Sequence, residues 1–416
     1  MEKLLVHGGR SLRGSVCVQG SKNTCLPVMA ASLLNAGISV LENCPDIADV
    51  AVMQEILTYL GCVVNREGST LIIDSRDACP RKIDDTMSCR LRASSVLMGP
   101  MLSRFGSVTA AKPGGCDIGA RPVDIHLEAF KRMGASWSIG DSCIEVSVVH
   151  LHEGDIYLKF PSVGATENAV MAAVLTPGTT VIENAAREPE IEHLCRYLKL
   201  SGAKISGEGT NKITVEGVES LSDVVYTVPP DRIVMGTYMA AAAVTRGDIE
   251  LIGCCASDAC GFFDVYTGMG MKYKNTAGGI RVWQTDRPRN LNFIKTGVYP
   301  EFPTDMQSVT LSVAAVGEGC ALFEENIFEN RYKIVKPLND MGADISVDGK
   351  KAVVRGVDKL HGCALKGTDL RGAAALFVAA LGAEGDSGIS NPFYIYRGYE
   401  QLITNYRELG AEIEEI

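Results

Sequence analysis

Large aromatic anchors are scarce in this chain: Phe, Trp and Tyr make up 6% of its 416 residues, and only two residues are Trp. An excess of positive charge is also missing, with 40 Lys and Arg against 50 Asp and Glu and a net charge of −10. A broad nucleic-acid face, which needs a basic surface, is thereby excluded, whereas a local basic pocket for a small anion is not. Fourteen Cys occur but no CxxC, and the tightest cluster, Cys254, Cys255 and Cys260, has neither zinc-ligand spacing nor a nearby His. The start, MEKLLVHGGRSLRGS, has no apolar core of leader length. The longest apolar stretches, such as Met235–Val244 and Ala373–Ala383, are about half of what a bilayer span requires. There is no GxxxxGK[ST] and no strand-linked GxGxxG, so neither ATP hydrolysis nor a dinucleotide site is indicated. These absences predict a soluble, reduced, cytoplasmic protein without a metal or organic cofactor.

What is present is repetition. Gly is abundant at 43 residues, and the length suggests about two or three domains. An amphipathic helix that stops at Gly before a strand recurs as YLGCVV, RMGASW, LSGAKI, GMGMKY, DMGADI and ELGAEI, with the stops at Gly61, Gly134, Gly202, Gly270, Gly342 and Gly410. A second marker, a small-residue helix ending before a β-rich run, has its glycines at Gly37, Gly106, Gly178, Gly247 and Gly319. Both markers share one period of roughly 70 residues. Each unit reads as a helix, a Gly stop, a strand, a loop, a second helix, a Gly stop and a strand pair. Glycine after a helix suits a left-handed C-cap. The first helix is apolar all round, as in MAASLL, VMAAVL, YMAAAAV and LFVAAL, and such a helix is expected to be buried. The second, as in VDIHLEAFKRM, is amphipathic and is expected outside. Six units are too many for one core. Three plus three, with a midpoint near Pro229 and Pro230, is the simplest packing, and an extended solenoid is the alternative.

Polar residues cluster at two phases of this repeat. The start of the apolar helix gives Ser21-Lys22-Asn23, Arg92, Gly164-Ala165-Thr166, Asp231-Arg232, Thr304-Asp305 and Asp369-Leu370-Arg371. The loop before the amphipathic helix gives Asp46, Cys116 with Arg121, Arg187-Glu188, Ser257-Asp258, Glu329-Asn330-Arg331 and Tyr396-Arg397. Helix starts present unpaired N–H groups and the positive end of the dipole, a ready anion site. Ser21, Thr304 and Asp369 also suit plain N-caps. A Lys in the first turn opposes the dipole, which singles out Lys22. Arg121, Arg371 and Arg397 also fit exposed ion pairs of little worth. Cys116 lies in the Gly-Pro loop KPGGCDIGARP beside Lys112 and Arg121, an unusual place for a core thiol. Its neighbour Asp117 disfavours the thiolate, which suits a proton donor better than a nucleophile.

These segments resemble the UDP-N-acetylglucosamine 1-carboxyvinyltransferases, enolpyruvyl transferases that open peptidoglycan precursor synthesis. The match runs in order through GSKNTCLPVMAASLL, LRASSVLMGP, KPGGCDIGARPVDIHL, FPSVGATEN, TTVIENAAREPEI, PPDRIVMGTY, FPTDMQS, ENIFENRY, TDLRGAAAL and YRGYEQL. The resemblance implies an α/β inverted prism of two domains, each with three units of about 70 residues around buried helices. Residues 22–229 would form the first domain, with a lid loop around Cys116. Residues 1–21 plus 230–416 would form the second, and the active site would lie in the interdomain cleft.

By the same resemblance, the enolpyruvyl group of phosphoenolpyruvate moves to the 3′-hydroxyl of UDP-N-acetylglucosamine by addition and elimination, releasing phosphate. Lys22, Arg121 and Arg397 would meet the donor's phosphate and carboxylate. Cys116 would protonate its methylene carbon, and Asp305 would take the sugar hydroxyl's proton. Asn23 would contact sugar and phosphate. Arg92 and Arg121, Pro122, Val123, Asp124 and Ile125 would contact the nucleotide. Ser162, Val163 and Gly164 would contact the diphosphate, Ile327 the uridine side, and Arg371 the substrate site. The chain departs from the pattern at Phe160-Pro161, where some relatives have Lys, and at Val234, Tyr299 and Glu301. Two alternatives stay open: a paralogue with another acceptor, and an inactive regulator that binds a UDP-sugar.

Overall fold

The computed structural model describes residues 3–81, 92–111, 123–140 and 143–416. It realises the predicted unit. An inner helix leads to a strand, an outer helix follows, and an antiparallel strand pair closes the unit. In the first copy these are Lys22–Ala31, Ile38–Glu42, Ala48–Tyr59 and the pair Val63–Glu67 with Thr70–Asp74. The remaining inner helices are Met98–Phe105, Val163–Ala173, Arg232–Thr245, Thr304–Ala315 and Leu370–Gly382.

The chain divides into two compact units. One contains Gly20–Pro229 and the other Pro230–Ile416 with the N-terminal residues through Gln19, apart from the segments not described. In the first, Val224–Thr227 runs parallel to Ile38–Glu42, so the last strand of that unit meets its first sheet. This closure excludes an open solenoid. In the second, Arg13–Cys17 runs parallel to Asp248–Ile252. Lys3–His7 lies antiparallel between Asp386–Ser390 and Glu412–Glu415. It thus fills the central place that a strand of the repeat's own pair fills in the other copies.

Small side chains let the inner helices sit close together. Ala240, Ala241 and Ala242 are fully buried, as are Ala373, Ala375 and Phe377. Polar groups at these contacts find partners: Ser312 Oγ donates to the Ala375 carbonyl at 2.9 Å, and Ser103 Oγ to that of Ala172 at 3.1 Å. Each unit has its own apolar core. No helix among the described residues is long and apolar enough to cross a membrane.

All six glycines that stop the outer helices have positive φ, from 90° at Gly134 to 108° at Gly202, so the C-cap expectation holds there. The second marker is mixed. Gly106, Gly178 and Gly319 have positive φ, but at Gly37 and Gly247 the left-handed residue is the one before, Ala36 or Arg246. There the glycine serves close approach instead. A Cβ on Gly247 would stand 2.7 Å from the Leu12 carbonyl oxygen. A further element escaped the sequence pattern. Three-residue edge strands, Asp155–Tyr157, Phe293–Lys295 and Ala364–Lys366, pair in parallel with the strand that follows the inner helix.

Candidate active site

The predicted polar residues do gather at helix starts. In the Gly20–Pro229 unit, Ser21 caps the Lys22–Ala31 helix by accepting the Thr24 N–H at 3.2 Å. The next residue, Lys22, points a cation against the helix dipole, and a buried carboxylate offsets it: Nζ lies 3.3 Å from Asp49 Oδ2. Asp49 sits in the first turn of the outer helix, a place where an acid is favoured for its own sake. For that reason the sequence did not single it out. Asn23 is half-buried beside Lys22.

Ser162 caps the Val163–Ala173 helix through the Ala165 N–H, and Val163 and Gly164 form its first turn. Behind that turn, Asn168 Nδ2 lies 3.0 Å from each of the Gly164 carbonyl, the Ser95 carbonyl and His126 Nδ1. Burial pushes the His126 pKa down to about 4, so its ring is neutral at pH 7 and can accept from the amide. A Cβ on Gly164 would come within 3.1 Å of the His126 ring. Val123 precedes the Asp124–Arg132 helix, with Asp124 exposed and Ile125 half-buried in its first turn. Cys116, Arg121 and Pro122 lie outside the described residues, as does the side chain of Arg92.

In the second unit, a pair of guanidinium groups meets one carboxylate. Asp305, in the first turn of Thr304–Ala315, accepts from Arg331 Nη2 at 2.6 Å on Oδ1 and from Arg371 Nη2 at 2.9 Å on Oδ2. Both arginines are buried, while Asp305 remains half-buried. The alternative reading of Arg371 as an exposed ion pair does not hold, since the residue is buried. Its helix start is buried, and burial alone would lower its pKa. Asp305 opposes that effect with help from Tyr399, and the net shift is upward. The Tyr399 hydroxyl lies 3.5 Å from Arg371 Nη1 and 2.9 Å from Thr237 Oγ1.

Thr304 is not the N-cap; Pro303 holds that position. The Thr304 hydroxyl instead accepts from Arg331 Nε at 3.2 Å and donates to Glu325 Oε2 at 3.0 Å. The other oxygen of Glu325 accepts the N–H groups of Ile327 at 2.8 Å and Phe328 at 3.0 Å. Asp369 and Asp231 are true N-caps, accepting from Gly372 and from Ile233 and Val234 respectively. Arg397 follows the short Phe393–Tyr396 helix and is half-buried. The Gln19 amide braces that turn, donating to the Gly398 carbonyl at 3.1 Å and accepting the Glu400 N–H at 2.7 Å.

The Gly20–Pro229 unit offers a lysine held at a helix start; the other unit offers, by itself, a carboxylate fixed in orientation by two cations and an arginine on a braced turn. Those are parts for placing an anionic substrate and accepting a proton from an alcohol. Arg331, Asp49 and Glu325 were missed as site residues. Only Arg331 carried a sequence signal, through its phase in the repeat.

Comparison with known proteins places the chain in a family. The family model described as EPSP synthase (3-phosphoshikimate 1-carboxyvinyltransferase) matches residues 6–406. UDP-N-acetylglucosamine 1-carboxyvinyltransferase 2 of Caldanaerobacter subterraneus subsp. tengcongensis is 43% identical over 416 residues, covering 100% of both chains. The UDP-N-acetylglucosamine 1-carboxyvinyltransferase of Trichlorobacter lovleyi is 40% identical over 417 residues, covering 100% of this chain and 99% of its own. Among solved structures, the enolpyruvyl transferase NikO from Streptomyces tendae superposes with a TM-score of 0.89 at 25% identity, covering 100% of this chain and 99% of that one. EPSP synthase from Acinetobacter baumannii, at 16% identity, a TM-score of 0.72 and full coverage of both chains, shares the fold.

Proposed function

Since the chain belongs to the EPSP synthase family and, within it, to the UDP-N-acetylglucosamine 1-carboxyvinyltransferases, we propose that it transfers the enolpyruvyl group of phosphoenolpyruvate to the 3′-hydroxyl of UDP-N-acetylglucosamine. Phosphate is released, and the product is the first committed precursor of peptidoglycan. Both phosphorylated substrates are cytoplasmic metabolites, and the reaction belongs in that compartment. The observation that best supports this reading is full-length identity to proteins named for the reaction, in a chain that also carries Lys22, Cys116, Asp305 and Arg397.

The reaction proceeds in two stages. In the addition, Asp305 takes the proton of the sugar hydroxyl while its oxygen bonds to C2 of the donor, and Cys116 delivers a proton to the methylene carbon. The tetrahedral adduct then loses phosphate and a proton from the new methyl group, restoring the double bond. Lys22, Arg121 and Arg397 hold the donor's phosphate and carboxylate by charge-assisted hydrogen bonds. Asn23, Arg92, Pro122, Val123, Asp124, Ile125, Ser162, Val163, Gly164 and Ile327 hold the nucleotide sugar. The arginine pair on Asp305 supports its role as base, since an ordinary carboxylate is a weak base and needs fixed geometry.

The test is phosphate release from phosphoenolpyruvate on addition of UDP-N-acetylglucosamine to the pure protein. Release is expected. Binding without release would favour an inactive regulator, and release only with a different acceptor would favour a paralogue of altered specificity.

A further inference from the structure

The Asp305 carboxylate is the near end of a chain of hydrogen bonds that lies inside one unit and runs through Arg331 and Thr304 to Glu325. Arg331 spends Nη2 on Asp305 and Nε on the Thr304 hydroxyl. That hydroxyl has one proton, and Glu325 Oε2 takes it. Glu325 is 2% exposed, and its remaining oxygen gathers the backbone N–H groups of Ile327 and Phe328. The Phe328 ring also lies 5.3 Å from the Arg331 guanidinium, so the turn and the arginine touch twice. A buried carboxylate is costly unless its lone pairs are satisfied, and here three donors satisfy it. The donors are drawn from the turn that carries Ile327 and from the helix that carries Asp305.

We propose that Glu325 and Thr304 are positioning residues that lock the Ile327 turn and the Asp305 base into one register, so that seating the acceptor and aiming the base are a single event. The proposal rests on the assigned roles of Asp305 as base and Ile327 as acceptor contact. Without the Thr304 hydroxyl, Arg331 Nε and Glu325 Oε2 each lose a partner and Asp305 loses its outer brace, while Glu325 still clamps the turn. Without an ionised Glu325, both ends loosen. Lys22, one of the donor's cations, is held by a different carboxylate, Asp49.

The experiment is steady-state kinetics with phosphoenolpyruvate and UDP-N-acetylglucosamine for the wild type, Thr304→Val, Thr304→Ser and Glu325→Gln. Loss of one charge-assisted bond corresponds to roughly a tenfold to hundredfold change. Thr304→Val should lower kcat by about tenfold or more, with the acceptor KM within about twofold of wild type. Glu325→Gln should lower kcat and also raise the acceptor KM by about tenfold. Thr304→Ser, which keeps the hydroxyl, should restore kcat. The donor KM should stay within about twofold throughout. An active wild type with Thr304→Val at wild-type kcat, or a loss that falls equally on donor KM, overturns the relay alone. A wild type inert with this acceptor overturns the functional reading as well. Should Thr304→Val not fold, Thr304→Ala carries the same expectation.

Discussion

Arg371 donates to Asp305 at 2.9 Å from a guanidinium that is almost wholly buried, 66 residues further along the chain. The two residues stand at the same phase of neighbouring repeats, each in the first turn of an inner helix. Repetition therefore does more than build the scaffold here; it brings an acid from one copy to a base from the next. Breaking a buried pair by removing one partner is costly, since the other is left uncompensated. Arg371→Met should lower stability by about 3 kcal/mol, the low end of the usual range because Asp305 keeps some solvent contact. A fall in the thermal midpoint, together with a loss of kcat larger than any change in donor KM, is the expected result.

Lys22 should depend on Asp49 for its place. Asp49→Asn keeps the shape and removes the charge that offsets the helix dipole. We expect the KM for phosphoenolpyruvate to rise by roughly tenfold or more while that for the acceptor changes little. Lys22→Gln should be more severe. Steady-state kinetics on both variants checks the order.

Cys116 should be the thiol alkylated by the epoxide antibiotic fosfomycin, with one equivalent incorporated and activity lost in step. Burial pushes the thiols of Cys62, Cys195 and Cys254 up to about 11, 12 and 12, which leaves them largely protonated at neutral pH. Mass spectrometry of the labelled peptide decides the site. Cys116→Ser, whose hydroxyl is a far weaker acid, should lose at least about a hundredfold in kcat.

Two histidines should give stability opposite dependences on pH. His126 titrates near 4 when folded because it is buried, against about 6.5 when unfolded. The folded state binds fewer protons, so this stabilising contribution is complete above about pH 6.5 and is lost as pH falls towards 4, by about 3 kcal/mol. His7 is half-buried, and its hydrogen bond to Asp386 raises its pKa. Its contribution is complete below about pH 6.5 and is lost as pH rises through the higher folded value. Melting curves across pH 4 to 8, roughly the span over which histidines titrate, should show a flattened acid limb in His126→Gln and a flattened neutral limb in His7→Gln.

The period of the fold was legible because the chemistry that marks it is local. A helix that ends on a left-handed residue favours glycine whatever lies around it, and six such stops announced six copies. The inner helices were legible for the same reason, since a run such as YMAAAAV has no face for water. Contacts that depend on assembly were not legible. Nothing in TDLRG tells a buried arginine from an exposed one until the helix start is seen packed against Asp305. Thr304 looked like a cap because its type suits one, yet the helix begins one residue earlier than that role requires, with Pro303 as its cap, and the Thr304 hydroxyl is left for Arg331. The edge strands are three residues long, too short for an alternation to show.

The strand Lys3–His7 has no neighbours until residues 386–390 and 412–415 exist to receive it. During synthesis on the ribosome, that strand must wait for residues 386–415. The unit Gly20–Pro229 holds both of its closing strands, Ile38–Glu42 and Val224–Thr227, within itself and can mature while the rest is still being made. The order of birth along the chain is therefore not the order of completion. The strands that close residues 20–229 are all made before the partners of Lys3–His7 exist.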